Sequence, residues 1–380
     1  MASAAFRHAL CATLCFTAAS SPAANDSAGV GTAPATPRLA PSRPGSPPAT
    51  GTRGTPAPRT SLRLGATEYV SATDVAIWLG MKGAWTEPAR KLVLTDKANP
   101  ARKLELEASG RDAFFDGLWI HLGNPTVYRG GHLYVSRTDL ERCLGPIVRP
   151  ETNGAPLPRP RVIALDPGHG GGDPGMENKS LNLQEKTLAL DISFRLKQRL
   201  ESEGFQVVMT RTADRTFSPE KRTDLPARAA FANRNRADLF LSIHLNSLFP
   251  DTKTSGAEIY VYTPAGQRST QSWGAREEDD TKRESSPVNR FDGWSSLLAH
   301  RVHRALIAGL KTPDRGHKTK HLLVFQDLEC PAVLVEALFL SNPTEARRVA
   351  TPEYRQQIAD TLAAGVRDYA ATLDALRLKP

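Results

Sequence analysis

The sequence predicts an α/β fold: a twisted, mostly parallel or mixed sheet flanked by helices, preceded by a small α+β domain. Three observations predict it. Between residues 161 and 380 short apolar runs alternate with stretches of helical spacing, the pattern of helices covering both faces of a sheet. Residues 61–148 hold short alternating strands with two brief helix signals. Two Pro-rich stretches, 25–60 and 149–160, set these regions apart as linkers.

Residues 1–24 read as a signal peptide. Arg7 and His8 precede an apolar run from Ala9 to Ala19, and Ser21-Pro22-Ala23-Ala24 supplies small residues for cleavage. The run is too short to cross a bilayer about 30 Å thick, and nothing later is long and apolar enough. The bulky Leu14 before Cys15 argues against lipid attachment. Residues 25–60 are Pro, Ala, Thr, Ser and Gly with almost no large apolar side chain, so they cannot offset their ordering entropy and form an extended spacer. The net charge is +9, of which Arg7, Arg38, Arg43, Arg53 and Arg59 against Asp26 supply +4. The remainder is spread over both folded portions, with no basic helix or aromatic-interleaved stripe that would suggest nucleic acid. Beyond the leader only Cys143 and Cys330 remain, which excludes a disulfide scaffold and a Cys-type metal pair.

In residues 61–148, Tyr69-Val70-Ser71-Ala72-Thr73-Asp74-Val75 … Leu79-Gly80 recurs as Tyr134-Val135-Ser136-Arg137-Thr138-Asp139-Leu140 … Leu144-Gly145. Each copy predicts a short strand, a Ser/Thr cap and a helix of one to two turns closed by glycine. Strands such as Lys91–Leu94 and Lys103–Leu106 lie between. The pattern resembles the stalk-like domain at the N-terminus of copper amine oxidases, which implies a binding or spacer module without a copper site. His121 and His132 read as surface or turn residues.

In the C-terminal region the spacing predicts strands at Val162–Leu165, Phe205–Met209, Leu239–Ile243 and Glu258–Tyr262, with helices over Leu188–Leu200 and Asp224–Arg234. Four polar residues fall where such a fold concentrates chemistry. His169 follows the first strand in Asp166-Pro167-Gly168-His169-Gly170-Gly171-Gly172, and Glu185 opens the next helix. His244 ends the strand Ser242-Ile243-His244, and Glu336 ends the run Val333-Leu334-Val335. In open α/β sheets strand carboxyl ends share one crevice. Two imidazoles and a carboxylate form an open catalytic zinc set, which assigns ligation of Zn²⁺ to His169, Glu185 and His244. A second carboxylate can carry the proton from water to a leaving nitrogen, the role assigned to Glu336.

The contexts of these residues, together with Gly204-Phe205 … Thr210-Arg211-Thr212 … Asp214, Arg228 … Ala232-Asn233 and Phe339-Leu340-Ser341-Asn342-Pro343, resemble the zinc-dependent N-acetylmuramoyl-L-alanine amidases that hydrolyse cell walls. The resemblance runs from about residue 161 to 376. It implies zinc on His169, Glu185 and His244, a catalytic Glu336, a peptidoglycan substrate and a periplasmic or secreted location. In some related amidases an insertion at this point covers the zinc until a partner removes it. Here the long insertion 264–294 is read either as a solvated loop or as such a cover, with a carboxylate such as Glu278 at the metal's open position and a protein activator acting on it. Arg315-Gly316-His317-Lys318 departs from the family pattern, which has a small apolar residue after Arg-Gly. His317, His321, His300 and His303 are expected at the surface or substrate rim. A zinc peptidase and a non-catalytic wall-binding protein on the same fold are the alternatives. The string Gly170-Gly171-Gly172-Asp173-Pro174-Gly175 fits a dinucleotide fingerprint, but Pro174, Gly175 and Asn178 delay the helix that would hold a pyrophosphate.

Overall fold

In the N-terminal region, strands β1 (Leu62–Leu64) and β2 (Thr67–Ser71) lead into helix α1 (Ala72–Trp78) because the Ser71 side chain accepts the Asp74 N–H at 3.1 Å. Then come β3 (Met81–Glu87), β4 (Lys91–Asp96), β5 (Lys103–Glu107), β6 (Asp112–Phe115), β7 (Leu118–His121), β8 (Val127–Arg129) and β9 (His132–Ser136). Ser136 caps the second copy of the repeat in the same way. Helix α2 (Arg137–Asp139), a π turn at Leu140–Leu144 and α3 (Gly145–Val148) follow. The two copies end differently. Gly80 stops α1 with a φ of +65°, whereas the chain stays helical through Gly145, against the expected glycine stop. A Cβ at Gly145 would lie 2.8 Å from the Trp78 ring, so this glycine serves close packing between the copies.

This computed structural model describes residues 58, 61–270 and 281–378; the expected signal peptide, nearly all of the first linker, Cys15 and Glu278 lie outside them. The described residues belong to one compact unit that begins at Arg53.

The C-terminal region contains β10 (Val162–Pro167), the small pair β11 (Glu177–Asn178) and β12 (Leu183–Gln184), helix α4 (Glu185–Ser202), β13 (Gln206–Met209) and α5 (Lys221–Arg234). It continues with β14 (Leu239–Asn246), β15 (Ala257–Tyr262), α6 (Asp292–Leu310), β16 (Asp314–Lys320), β17 (Ala332–Phe339), α7 (Pro343–Val349) and α8 (Pro352–Leu378). Strands β13, β10, β14 and β17 are parallel neighbours; β15 joins β17 antiparallel and β16 joins β15 parallel. The sheet does not end there. Strand β7 adds to β16, and β6, β5, β4 and β3 continue it to eleven strands.

Side-chain alternation builds a core on each face. Ile163, Leu165, Leu241, Ile243, Val333 and Val335 pack against α4, α6 and α8. Ala164, Phe240, Tyr260 and Leu334 pack against Ala229 and Ala232 of α5 and against Phe325 and Leu328. Strands covered on both faces must be apolar throughout, which is why these runs hold so few polar residues. Residues such as Val70, Leu104, Leu106, Ile120 and Val135 form a separate cluster in the N-terminal region. No helix among the described residues is long and apolar enough to cross a membrane.

Candidate metal centre

Because β10, β14 and β17 are adjacent and parallel, their carboxyl ends open on one edge, and α4 starts there. The structure brings His169, Glu185 and His244 together: one ligand atom from each lies within 4.8 Å of the others. Glu185 is the hub. Its Oε1 lies 3.1 Å from His169 Nε2 and 2.9 Å from His244 Nδ1, and its Oε2 accepts the Met176 N–H at 2.9 Å. The two imidazole rings stand edge to face, 4.9 Å apart.

The approach depends on small residues and a bent backbone. A Cβ at Gly168 would lie 2.3 Å from the His244 ring, so only glycine fits there. His169 itself has a φ of +61°, a left-handed conformation costly for a side chain with a Cβ. Arg228 holds it. Its Nη2 donates to the His169 carbonyl at 2.9 Å, its Nη1 to Asp166 at 2.9 Å and its Nε to Asp224 at 2.7 Å. Asp173 accepts from His169 Nδ1 at 2.9 Å, which turns Nε2 toward Glu185. A carboxylate behind an imidazole in this way fixes its tautomer and raises its basicity as a ligand.

The electrostatics follow. Burial works against a charged His169, but Asp173 and Glu185 outweigh it and raise its pKa to about 9. Burial also opposes the charge on Glu185, yet the two imidazoles hold its carboxyl well below the usual range.

Glu336 occupies β17 with His244 opposite it on β14 and Glu258 opposite it on β15. Burial pushes its pKa well up, and the carboxylates of Glu185 and Glu258 push it further. Its Oε2 is inaccessible and has no hydrogen-bond partner among the described residues. Glu258 is 2% exposed and accepts from Asn246 Nδ2 at 2.5 Å, from the Tyr260 hydroxyl at 2.7 Å and from Lys318 Nζ. A nitrogen–oxygen donor set with an adjacent unpartnered carboxylate suits a metal ion and a proton carrier.

Sequence reasoning did not assign roles to Asp173, Arg228 or Glu258. Asp173 was visible in principle, four residues after His169 in the same glycine-rich turn; Glu258 was not, because only sheet pairing brings it beside Glu336. Three of the other histidines need correction. His300, His303 and His317 are not rim residues but 3%, 1% and 2% exposed. His303 survives burial through a 2.6 Å contact between its Nε2 and Asp314, while burial presses the His317 pKa down to about 3. His321 is half-buried against the Tyr262 ring, and His121 lies on β7, bonded through Nδ1 to Asp112 at 2.7 Å. His132 is exposed at the start of β9. Cys330 is buried as expected, whereas Cys143 is only partly so. In the dinucleotide-like string, Gly170 and Asp173 bridge in a tight turn, and α4 begins only at Glu185.

A family model described as N-acetylmuramoyl-L-alanine amidase matches residues 163–368, more than half of the chain. The chain is 31% identical over 218 residues to a germination-specific N-acetylmuramoyl-L-alanine amidase of Bacillus subtilis, covering 55% of this chain and 79% of that one. It is 31% identical over 255 residues to the N-acetylmuramoyl-L-alanine amidase AmiC of Escherichia coli, covering 62% and 59%. A crystal structure of an N-acetylmuramoyl-L-alanine amidase from Clostridium difficile, 29% identical, aligns with 56% of this chain and 98% of that one at a TM-score of 0.45. The chain spans 35% and 59% of the length of the first curated relatives it matches.

Proposed function

Since the chain belongs to the N-acetylmuramoyl-L-alanine amidase family, we propose that it hydrolyses the amide between the lactyl group of N-acetylmuramic acid and the L-alanine of the peptidoglycan stem. One observation carries this reading: the donor atoms of His169, Glu185 and His244 converge, with Glu336 beside them in the register of the sheet. These three residues would hold zinc. A bound zinc ion would supply Lewis acidity, lowering the pKa of water and polarising the amide carbonyl. Asp173 keeps the His169 proton on Nδ1 and leaves Nε2 free to ligate. Glu336 takes the proton from the attacking water and returns it to the departing L-alanine nitrogen. Burial and the neighbouring carboxylates of Glu185 and Glu258 raise its pKa, which favours holding the proton between the two events. The expected site of action is the periplasm or cell wall.

Digestion of purified peptidoglycan by the mature protein, with the fragments identified by mass, tests the reading. Free stem peptides beginning with L-alanine support it. Shortened stems still attached to sugar would identify a zinc peptidase instead, and intact material a wall-binding protein.

A further inference from the structure

We propose that the outward face of strands β6 and β7 is a binding platform for the glycan strand, with Trp119 and Phe114 as its stacking residues. The inference rests on the amidase reading and extends it to how the polymer is held.

The geometry begins at the catalytic rung. His244, Glu336 and Glu258 follow one another across β14, β17 and β15, and Lys318 of β16 reaches back to Glu258 on the same face. Strand β7 pairs with β16 in the register His317 to Ile120, which sets Gly316 beside Trp119 and Lys318 beside His121. Gly316 confirms the direction. A Cβ there would lie 2.6 Å from His121 Cδ2 and 3.1 Å from Trp119 Cβ, so both side chains emerge on the face of Lys318. The opposite face is occupied by Ile120, Ala113 and Phe115, all at most 1% exposed. The active-site face of the sheet therefore runs without a break onto the N-terminal region. Three strand spacings separate Glu336 from Trp119, roughly 14 Å.

On this face Trp119 and Phe114 are direct cross-strand partners with rings in contact, and both remain partly exposed. Aromatic rings there are not explained by the core, which fills the other side. A half-open aromatic face suits the C–H-rich side of a pyranose ring, whose polarised hydrogens meet the negative face of the ring quadrupole. The polar neighbours are bonded among themselves: Asp112 to His121 Nδ1, Lys318 to Glu258 and Lys91 to Glu105. A platform of bonded polar side chains and apolar rings, with the Lys318 and Lys91 cations already paired, favours uncharged amino-sugar units over the carboxylate-bearing stem peptide. The glycan must also continue away from the cut bond, and this face offers it a path.

Trp119→Leu keeps apolar volume on the strand while removing the aromatic face, and Phe114→Ala/Trp119→Ala removes both rings. Each is compared with the full-length parent in sedimentation with purified peptidoglycan and with chitin, where no hydrolysis is read. Kinetics are then taken on polymeric peptidoglycan and on a soluble muramoyl-peptide. Binding to both polymers should weaken roughly five- to tenfold, KM on polymer should rise to match, and kcat on the soluble substrate should stay unchanged. Parent-like sedimentation and parent-like KM by folded Trp119→Leu would overturn the platform, as would competition by stem peptide but not by N-acetylglucosamine oligomers. A parent that cuts nothing, yet sediments with chitin in a Trp119-dependent way, would sink the amidase reading and leave the platform standing.

Discussion

Glu336 stands directly opposite His244 on the neighbouring parallel strand, so a carboxylate with an unpartnered buried oxygen borders one of the three clustered donor residues. The spacing separates two jobs. Glu336→Gln keeps the shape but cannot take a proton, so turnover should fall about 10²-fold or more while metal content is unchanged. Loss of the metal in that variant, measured by elemental analysis, would make Glu336 a ligand and remove its assigned role.

The three-residue donor set predicts close to one zinc per chain. Chelation should abolish hydrolysis and added zinc should restore it. Full activity in metal-free protein would end the zinc reading.

Asp173 supports the site from behind His169. Asp173→Asn should weaken metal affinity about 10- to 100-fold with little change in melting temperature, since the residue lies at a partly exposed turn. Competition with a chromogenic chelator measures it; unchanged affinity would reduce Asp173 to a turn residue.

Arg228 is 3% exposed and binds Asp166 and Asp224, both nearly buried, as well as the His169 carbonyl. Removing it strands two buried carboxylates. Arg228→Ala should cost about 3–5 kcal/mol in denaturant unfolding and also weaken metal binding through His169. A loss under about 1 kcal/mol would show that water replaces the guanidinium without penalty.

Asp292 opens α6 at 6% exposure, and burial raises its pKa to about 7 despite the hydrogen bond from Asn289 and the charge of Arg142. An unfolded Asp titrates near 3.9, so between about pH 4 and 7 the folded state holds a proton that the unfolded state has lost. This contribution is complete below about pH 4 and is lost as pH rises through about 7. Asp292→Asn should therefore add on the order of 2–4 kcal/mol at pH 8 and almost nothing at pH 4, read as the variant-minus-parent difference in urea unfolding. An equal gain at both pH values would show that the carboxyl is not protonated in the native state.

What the sequence by itself determined about this protein is local in origin. Apolar runs such as Val162–Leu165 and Val333–Val335 announce buried strands, and a polar residue at the end of such a run stands at the sheet's working edge whatever its neighbours are. His169, His244 and Glu336 were legible for that reason, and Glu185 because it opens the helix beginning at the same edge. Tertiary structure alone decided what lies beside them. Glu258 reaches Glu336 only through antiparallel pairing of β15 with β17, and Asp314 meets the Trp119 N–H at 2.7 Å across 195 residues of chain. No local pattern encodes pairings that distant. The same reason hid the continuous sheet and misled the reading of His300, His303 and His317, whose polar side chains look solvent-facing until α6 packs onto β16 and the β6–β7 pair. Burial there is tolerated because one imidazole finds a carboxylate and the others remain neutral, a balance that depends on contacts between remote segments.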